Sequence, residues 1–198
     1  MGRHKEFCVE WALERALEVF WRHGYEGASL TDLTAAMGIT RPSLYAAYGN
    51  KETLFRKALD LYDARYMGFA YAALEAPRAR DVVAQVLAGF VELAAGDDTP
   101  PGCMGTQGAL VCSSAAEPIK EELIRRRTAF EALLAARLQR AQDEGDLPPD
   151  ETPSDLARFV MTFSGGIAIQ AAGGASRAAL QRAADVALRA WPAVPEMA

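Results

Sequence analysis

The chain is poor in side chains that do covalent, metal or acid–base chemistry. It has two histidines, His4 and His23, so a histidine-based triad or a histidine-rich metal site lacks material. Its three cysteines, Cys8, Cys103 and Cys112, form no CxxC pair and no even framework, which suits a reducing compartment with free thiols. A cytoplasmic protein is expected, with no cofactor, no metal site and no catalytic residues. The side chains that stand out instead are hydroxyls, a guanidinium and phenols in one short stretch: residues 30–48 read LTDLTAAMGITRPSLYAAY.

That stretch reads as two short helices joined by a tight turn at Met37-Gly38-Ile39, the outline of a helix-turn-helix. A glycine in the turn permits the left-handed backbone that swings one helix across the other, and Leu33, Ile39 and Leu44 can pack where they cross. Arg41, Ser43, Tyr45 and Tyr48 are left for solvent, a groove or neighbouring packing. Ser29 is a suitable N-cap for the first of the two helices, with Asp32 three residues on approximating a capping box, and Thr40 is a suitable cap for the second, where Pro42 costs no needed hydrogen bond.

The elements around this pair are also helical. Strand signals are nearly absent, and Leu13, Ala16, Leu17 and Phe20 give a first helix one apolar face that Gly24 is placed to end. After breakers at Gly49 and Asn50, helical patterns cover about 51–75, 80–95 and 117–142, with a short Gly-containing stretch at 103–112. Ser154 and Ser176 look like the caps of the last two helices. The fold class expected is all-α, with about nine helices: a three-helix N-terminal domain over 1–50 and a helical domain over 51–198.

The totals neither require nor exclude a nucleic-acid partner. The formal charge is −5, yet residues 1–60 hold eight Lys/Arg and eight Asp/Glu, so the negative excess lies in the remainder. The N-terminus lacks the apolar stretch of a signal peptide. Residues 159–176 carry no charge, but their glycines and polar residues fit a buried or interfacial helix better than a membrane span.

Taken together, Phe20, Gly24-Tyr25, the segment TDLTAAMGITRPSLYAAY and the following NKETLF resemble the DNA-binding domain of TetR/AcrR-family regulators over roughly residues 7–57. The resemblance implies a third helix that enters the major groove, a fourth that connects to a divergent helical domain, and a homodimer released from a palindromic DNA operator by a small-molecule effector. Repression is the mode it implies. Carried onto this sequence, Thr31, Thr40, Tyr45 and Lys51 match positions that hold phosphates, and Arg41 and Ser43 match positions that face base edges. Tyr48, in the place of the family's usual phenylalanine, is kept with them as a candidate contact. Ala47 stands where the family often has histidine or another polar residue, and Pro42 where it often has glycine.

The remainder is less informative. Tyr62, Tyr66, Phe69, Phe90, Met104, Phe130 and Phe163 are candidates for an effector pocket between helices. Gly165, Gly166, Ala168, Ala171, Leu180 and Leu188 are candidates for a dimer interface, since small residues let a partner helix approach closely in a four-helix isologous contact. Cys103 and Cys112 are nine residues apart and would point to opposite sides of a straight helix, which disfavours a local disulfide. Two alternatives remain open at this point: a thiol-based redox-sensing regulator that binds DNA, and a helical module that docks protein.

Overall fold

The computed structural model describes residues 2–192, with side chains from Val9 onward; Cys8 and His4 lie outside the described side chains. Among the described residues there are ten α-helices and no strand: α1 (Gly2–Gly27), α2 (Leu30–Met37), α3 (Arg41–Tyr48), α4 (Lys51–Tyr66), α5 (Gly68–Ala73), α6 (Ala79–Ala95), α7 (Met104–Gln107), α8 (Glu117–Asp143), α9 (Pro153–Ala172) and α10 (Arg177–Arg189). The count exceeds the expected nine because the pattern over 51–75 is two helices. The chain leaves the helix at Met67, ahead of Gly68, and a short α5 follows. The cap of α9 is Thr152 with Pro153 in the first turn, in place of the expected Ser154, because proline opens a helix without losing a bond.

The chain divides into two compact units. One comprises the chain up to Tyr66 together with Cys103–Ile124; the other comprises Met67–Gly102 and the chain from Arg125 on. In the first unit α1 packs against α2, α4 and α7, and α3 closes on α2 and α4. Its core holds Leu17, Phe20, Leu33, Leu44, Leu54, Phe55 and Leu59, all essentially without solvent contact. Phe55 meets Phe20 edge to face at 5.0 Å and Tyr25 at 5.3 Å, arrangements favoured by the aromatic quadrupole.

Gly24 bends α1 instead of ending it. Its φ of 67° and ψ of −179° interrupt the helix, which resumes to Gly27, and a Cβ there would lie 3.2 Å from the Gly108 carbonyl oxygen. The bend brings the Tyr25 amide to that same carbonyl at 2.7 Å. A segment more than 80 residues away in sequence is thereby fixed to the end of α1.

In the second unit α6 packs against α5, α9 and α10 through Val82, Val83, Val86, Leu87 and Phe90. Arg137 is buried without a carboxylate and donates to the carbonyls of Leu74, Ala76 and Pro77 where the chain leaves α5. No helix among the described residues is long and apolar enough to cross a membrane, α9 included.

Candidate nucleic-acid interface

Three helix starts lie in the first unit, and each is built by its own sequence. Ser29 caps α2 in a full capping box: its Oγ accepts from the Asp32 amide at 3.0 Å while the Asp32 carboxylate accepts from the Ser29 amide at 3.2 Å. The Ser29 hydroxyl also donates to the Asp32 carboxylate at 2.6 Å, and this bond, with the one from the Ser29 amide, holds the Asp32 carboxyl below its usual range. Thr40 caps α3 by accepting from the Ser43 amide, and the Thr40 and Ser43 hydroxyls share a hydrogen bond of 2.9 Å. Asn50 Oδ1 accepts from the Thr53 amide at 2.7 Å and so caps α4.

The turn between α2 and α3 rests on Gly38, whose φ of 64° is left-handed. Its amide, with that of Ile39, donates back to the last turn of α2. Leu33 and Leu44 are fully buried where the helices cross, with Ile39 half-buried, as the hydrophobic spacing predicts.

Of the sequence candidates, Thr31, Thr40, Arg41, Ser43 and Tyr45 are exposed on this face, Tyr45 to 47%. Arg41 donates through Nη2 to Thr31 Oγ1 at 2.9 Å, linking the start of α3 to the start of α2. Tyr48 is not on the open face. It is buried, its hydroxyl donates to the Val9 carbonyl at 2.8 Å, and burial pushes its phenol up. Its position four residues after Leu44 puts it on the inward stripe, so it anchors α3 to α1.

Lys51 is half-buried, with Nζ 4.6 Å from the centre of the Tyr25 ring. Burial lowers its ammonium, and the nearby Glu26 carboxylate works against that. Glu26 accepts from the Ser113 amide at 3.0 Å and from its hydroxyl at 2.6 Å, which holds the Glu26 carboxyl low. Sequence reasoning missed Tyr25, Glu26 and Ser113 as supports of Lys51. No local pattern signals a contact across 87 residues.

The candidates of the helical remainder fall in different places. Tyr62 and Met104 are packed in the first unit, where the Tyr62 hydroxyl meets Cys103 Sγ at 3.1 Å and burial raises the phenol well above its usual value. Tyr66 is half-buried against Trp21. Phe90 and Phe130 are core residues of the second unit; Phe69 packs edge to face on Phe90 and Tyr71 on Phe130.

Phe163 instead lines an outer groove on α9 and α10 with Phe159, Thr162, Gly166, Ile167, Gln170, Leu180 and Ala183. Of the interface candidates, Ala168, Ala171 and Leu180 are buried within the unit. The two alanines belong to the inward stripe of α9, with Ala157, Val160, Ser164 and Ile167, and Leu180 to that of α10, so small size there serves packing inside the protomer. Gly165 and Leu188 are half-buried, Gly166 is exposed, and Phe159, Ile169 and Val186 stand out to solvent.

Cys103 and Cys112 are both free thiols. Cys103 is buried beside Tyr62, and Cys112 is half-buried with Sγ 3.8 Å from a Glu117 carboxylate oxygen. The straight-helix expectation does not apply to them, because α7 ends at Gln107.

Residues 12–58 match "Bacterial regulatory proteins, tetR family", and residues 78–187 match "Tetracyclin repressor-like, C-terminal domain". The chain belongs to the TetR family. Among its relatives, the HTH-type transcriptional repressor ComR of Escherichia coli is 36% identical to this TetR-family chain over 193 residues, 96% of the chain and 92% of ComR. The HTH-type transcriptional regulator YezE of Bacillus subtilis is 33% identical over 81% of the chain and 84% of YezE. A cysteine mutant of the TetR family transcriptional regulator CifR, solved with 26 bp double-strand operator DNA, is similar in structure with a TM-score of 0.87 and 41% identity. That likeness covers 91% of this chain and 95% of CifR.

Proposed function

We propose that this TetR-family protein is a homodimeric transcriptional repressor that binds a near-palindromic DNA operator and is released from it by a small-molecule effector. The observation that carries the reading is the pair of capped helix starts of α2 and α3, linked by Arg41 and Thr31, with Thr31, Thr40, Arg41, Ser43 and Tyr45 all exposed, and with Lys51 half-buried at the capped start of α4. Helix N-termini, hydroxyls and a lysine are phosphate donors, and an exposed short helix that follows a glycine turn suits the major groove. The similarity to the repressor ComR and to CifR in complex with operator DNA supports the same reading.

In this reading residues 1–50 contact DNA and residues 51–198 carry dimerisation and effector response, although Lys51–Tyr66 and Cys103–Ile124 pack with the DNA-contacting helices. The occupant of the α9 and α10 groove is a second copy of the chain, which meets Phe159 and Phe163 in the groove and covers the exposed Ile169 and Val186 on the same two helices. The protein acts in the cytoplasm, by binding and without catalysis.

The test is selection of binding duplexes from a random 26 bp pool by the full-length protein. The enriched sequence is expected to be near-palindromic, with half-site centres ~34–36 Å apart or a multiple of it. Lys51→Ala is then expected to weaken all duplexes alike and to reduce the slope of log affinity against log salt by about one per half-site. A parent that enriches nothing contradicts the function, and an unchanged slope in the variant removes Lys51 from the phosphate contacts.

A further inference from the structure

The face that α3 presents outward follows from its register. Taking Leu44 as the inward direction, the α-helical step of about 100° puts Tyr48 about 40° away, Arg41 about 60°, Tyr45 about 100°, Pro42 about 160° and Ala46 about 200°. Leu44 and Tyr48 are buried, as this register requires. The outermost ridge is therefore Pro42 and Ala46, both exposed and neither with a side chain that can donate or accept a hydrogen bond.

Two of the polar residues beside this ridge, Ser43 and Arg41, are already bonded within the protein, and the third, Tyr45, is exposed and presents ring carbons as well as its hydroxyl. Ser43 Oγ is paired with Thr40 Oγ1 at 2.9 Å. Arg41, the only charged side chain of α3, lies on the flank and is bonded to Thr31 at the start of α2. Its other N–H groups and the Thr31 hydroxyl proton can then donate together to a phosphate oxygen, with the Asp32 carboxylate already engaged by Ser29.

We propose that the recognition helix reads thymine methyl groups through Pro42, Tyr45 and Ala46, while Arg41 works with Thr31 on the DNA backbone and reads no base. The assignment rests on the DNA-binding reading and replaces both the base-edge role that family resemblance implies for Arg41 and the phosphate role it implies for Tyr45. The thymine C5-methyl is the apolar feature of the major groove, and alanine and ring carbons are its natural contacts. A bidentate guanidinium–guanine pair needs both terminal nitrogens of the guanidinium or one with Nε, and Arg41 already spends Nη2 on Thr31 away from the outer ridge.

The experiment uses the full-length protein and the duplex enriched from the random 26 bp pool, with each thymine replaced in turn by deoxyuridine. This removes only the methyl and leaves the pairing edges intact. At one or more thymines in each half-site the affinity is expected to fall roughly fourfold per methyl, the transfer value of one buried carbon. Arg41→Ala is expected to enrich the same sequence as the parent while lowering the affinity for every duplex by a similar factor.

If no deoxyuridine substitution alters binding, the methyl assignment is wrong. If Arg41→Ala relaxes the preference at a guanine, Arg41 is a base reader and the division of roles fails. If the parent enriches no duplex, the DNA-binding reading itself fails and takes this inference with it.

Discussion

Val186→Arg is expected to leave the protein monomeric in sedimentation and to lower its affinity for a two-half-site operator by about 10² to 10⁴-fold. Val186 is 56% exposed on α10, and Phe159 and Ile169 are exposed on α9. In an isologous contact each substituted side chain meets the same patch of the partner, so one change adds two cations to an apolar interface, where their desolvation opposes association. The second half-site contact is intramolecular only while the dimer holds, and its effective concentration supplies a factor of about 10² to 10⁴ in avidity. An exposed position costs the protomer little, so helicity by circular dichroism is expected to stay at the parent value. A variant that remains dimeric places the subunit interface elsewhere.

Phe55→Ala is expected to cost about 3–5 kcal/mol, the range for removing a fully buried aromatic ring. Phe55 has no solvent contact and carries edge-to-face contacts to both Phe20 and Tyr25. For a chain of this size the loss corresponds to a fall in Tm of about 6–20 °C in a calorimetric or circular dichroism melt. Operator affinity should fall below the melt as well, because Tyr25 supports Lys51 and its own ring support is gone. A melt shifted by less than about 3 °C contradicts the placement of this cluster at the centre of the unit.

The two substitutions probe parts of the molecule that differ in how far the sequence discloses them. Ser29, Gly38, Thr40 and the Leu33–Leu44 crossing are all local signals, set by residues within about a turn of one another, and the structure has each of them where the pattern places it. The α-helical register of α3 is equally local. Tyr48 shows the limit of that information, since the spacing puts it inward but its hydrogen bond depends on Val9, 39 residues away.

The docking of Gly108 and Ser113 on Tyr25 and Glu26 has no sequence signature, because it is made by backbone carbonyls and a loop serine across about 85 residues of chain. Ala168 and Ala171 illustrate a different difficulty. Small residues favour close helix approach but do not say whose helix approaches, and here the packing of α6 inside the protomer takes them. The residues left outward, Phe159, Ile169 and Val186, are larger and more apolar than the alanines, and only the observed register of α9 and α10 separates the two sets.

Two copies of α3 are expected to enter major grooves on one face of a single operator. Hydroxyl-radical footprinting of the full-length protein on the enriched duplex tests this most directly. Two protected clusters are expected on one face of the DNA, related by the operator's two-fold axis and centred ~34–36 Å apart or a multiple of it. A single asymmetric cluster, or no protection at concentrations where the protein is dimeric, would contradict it.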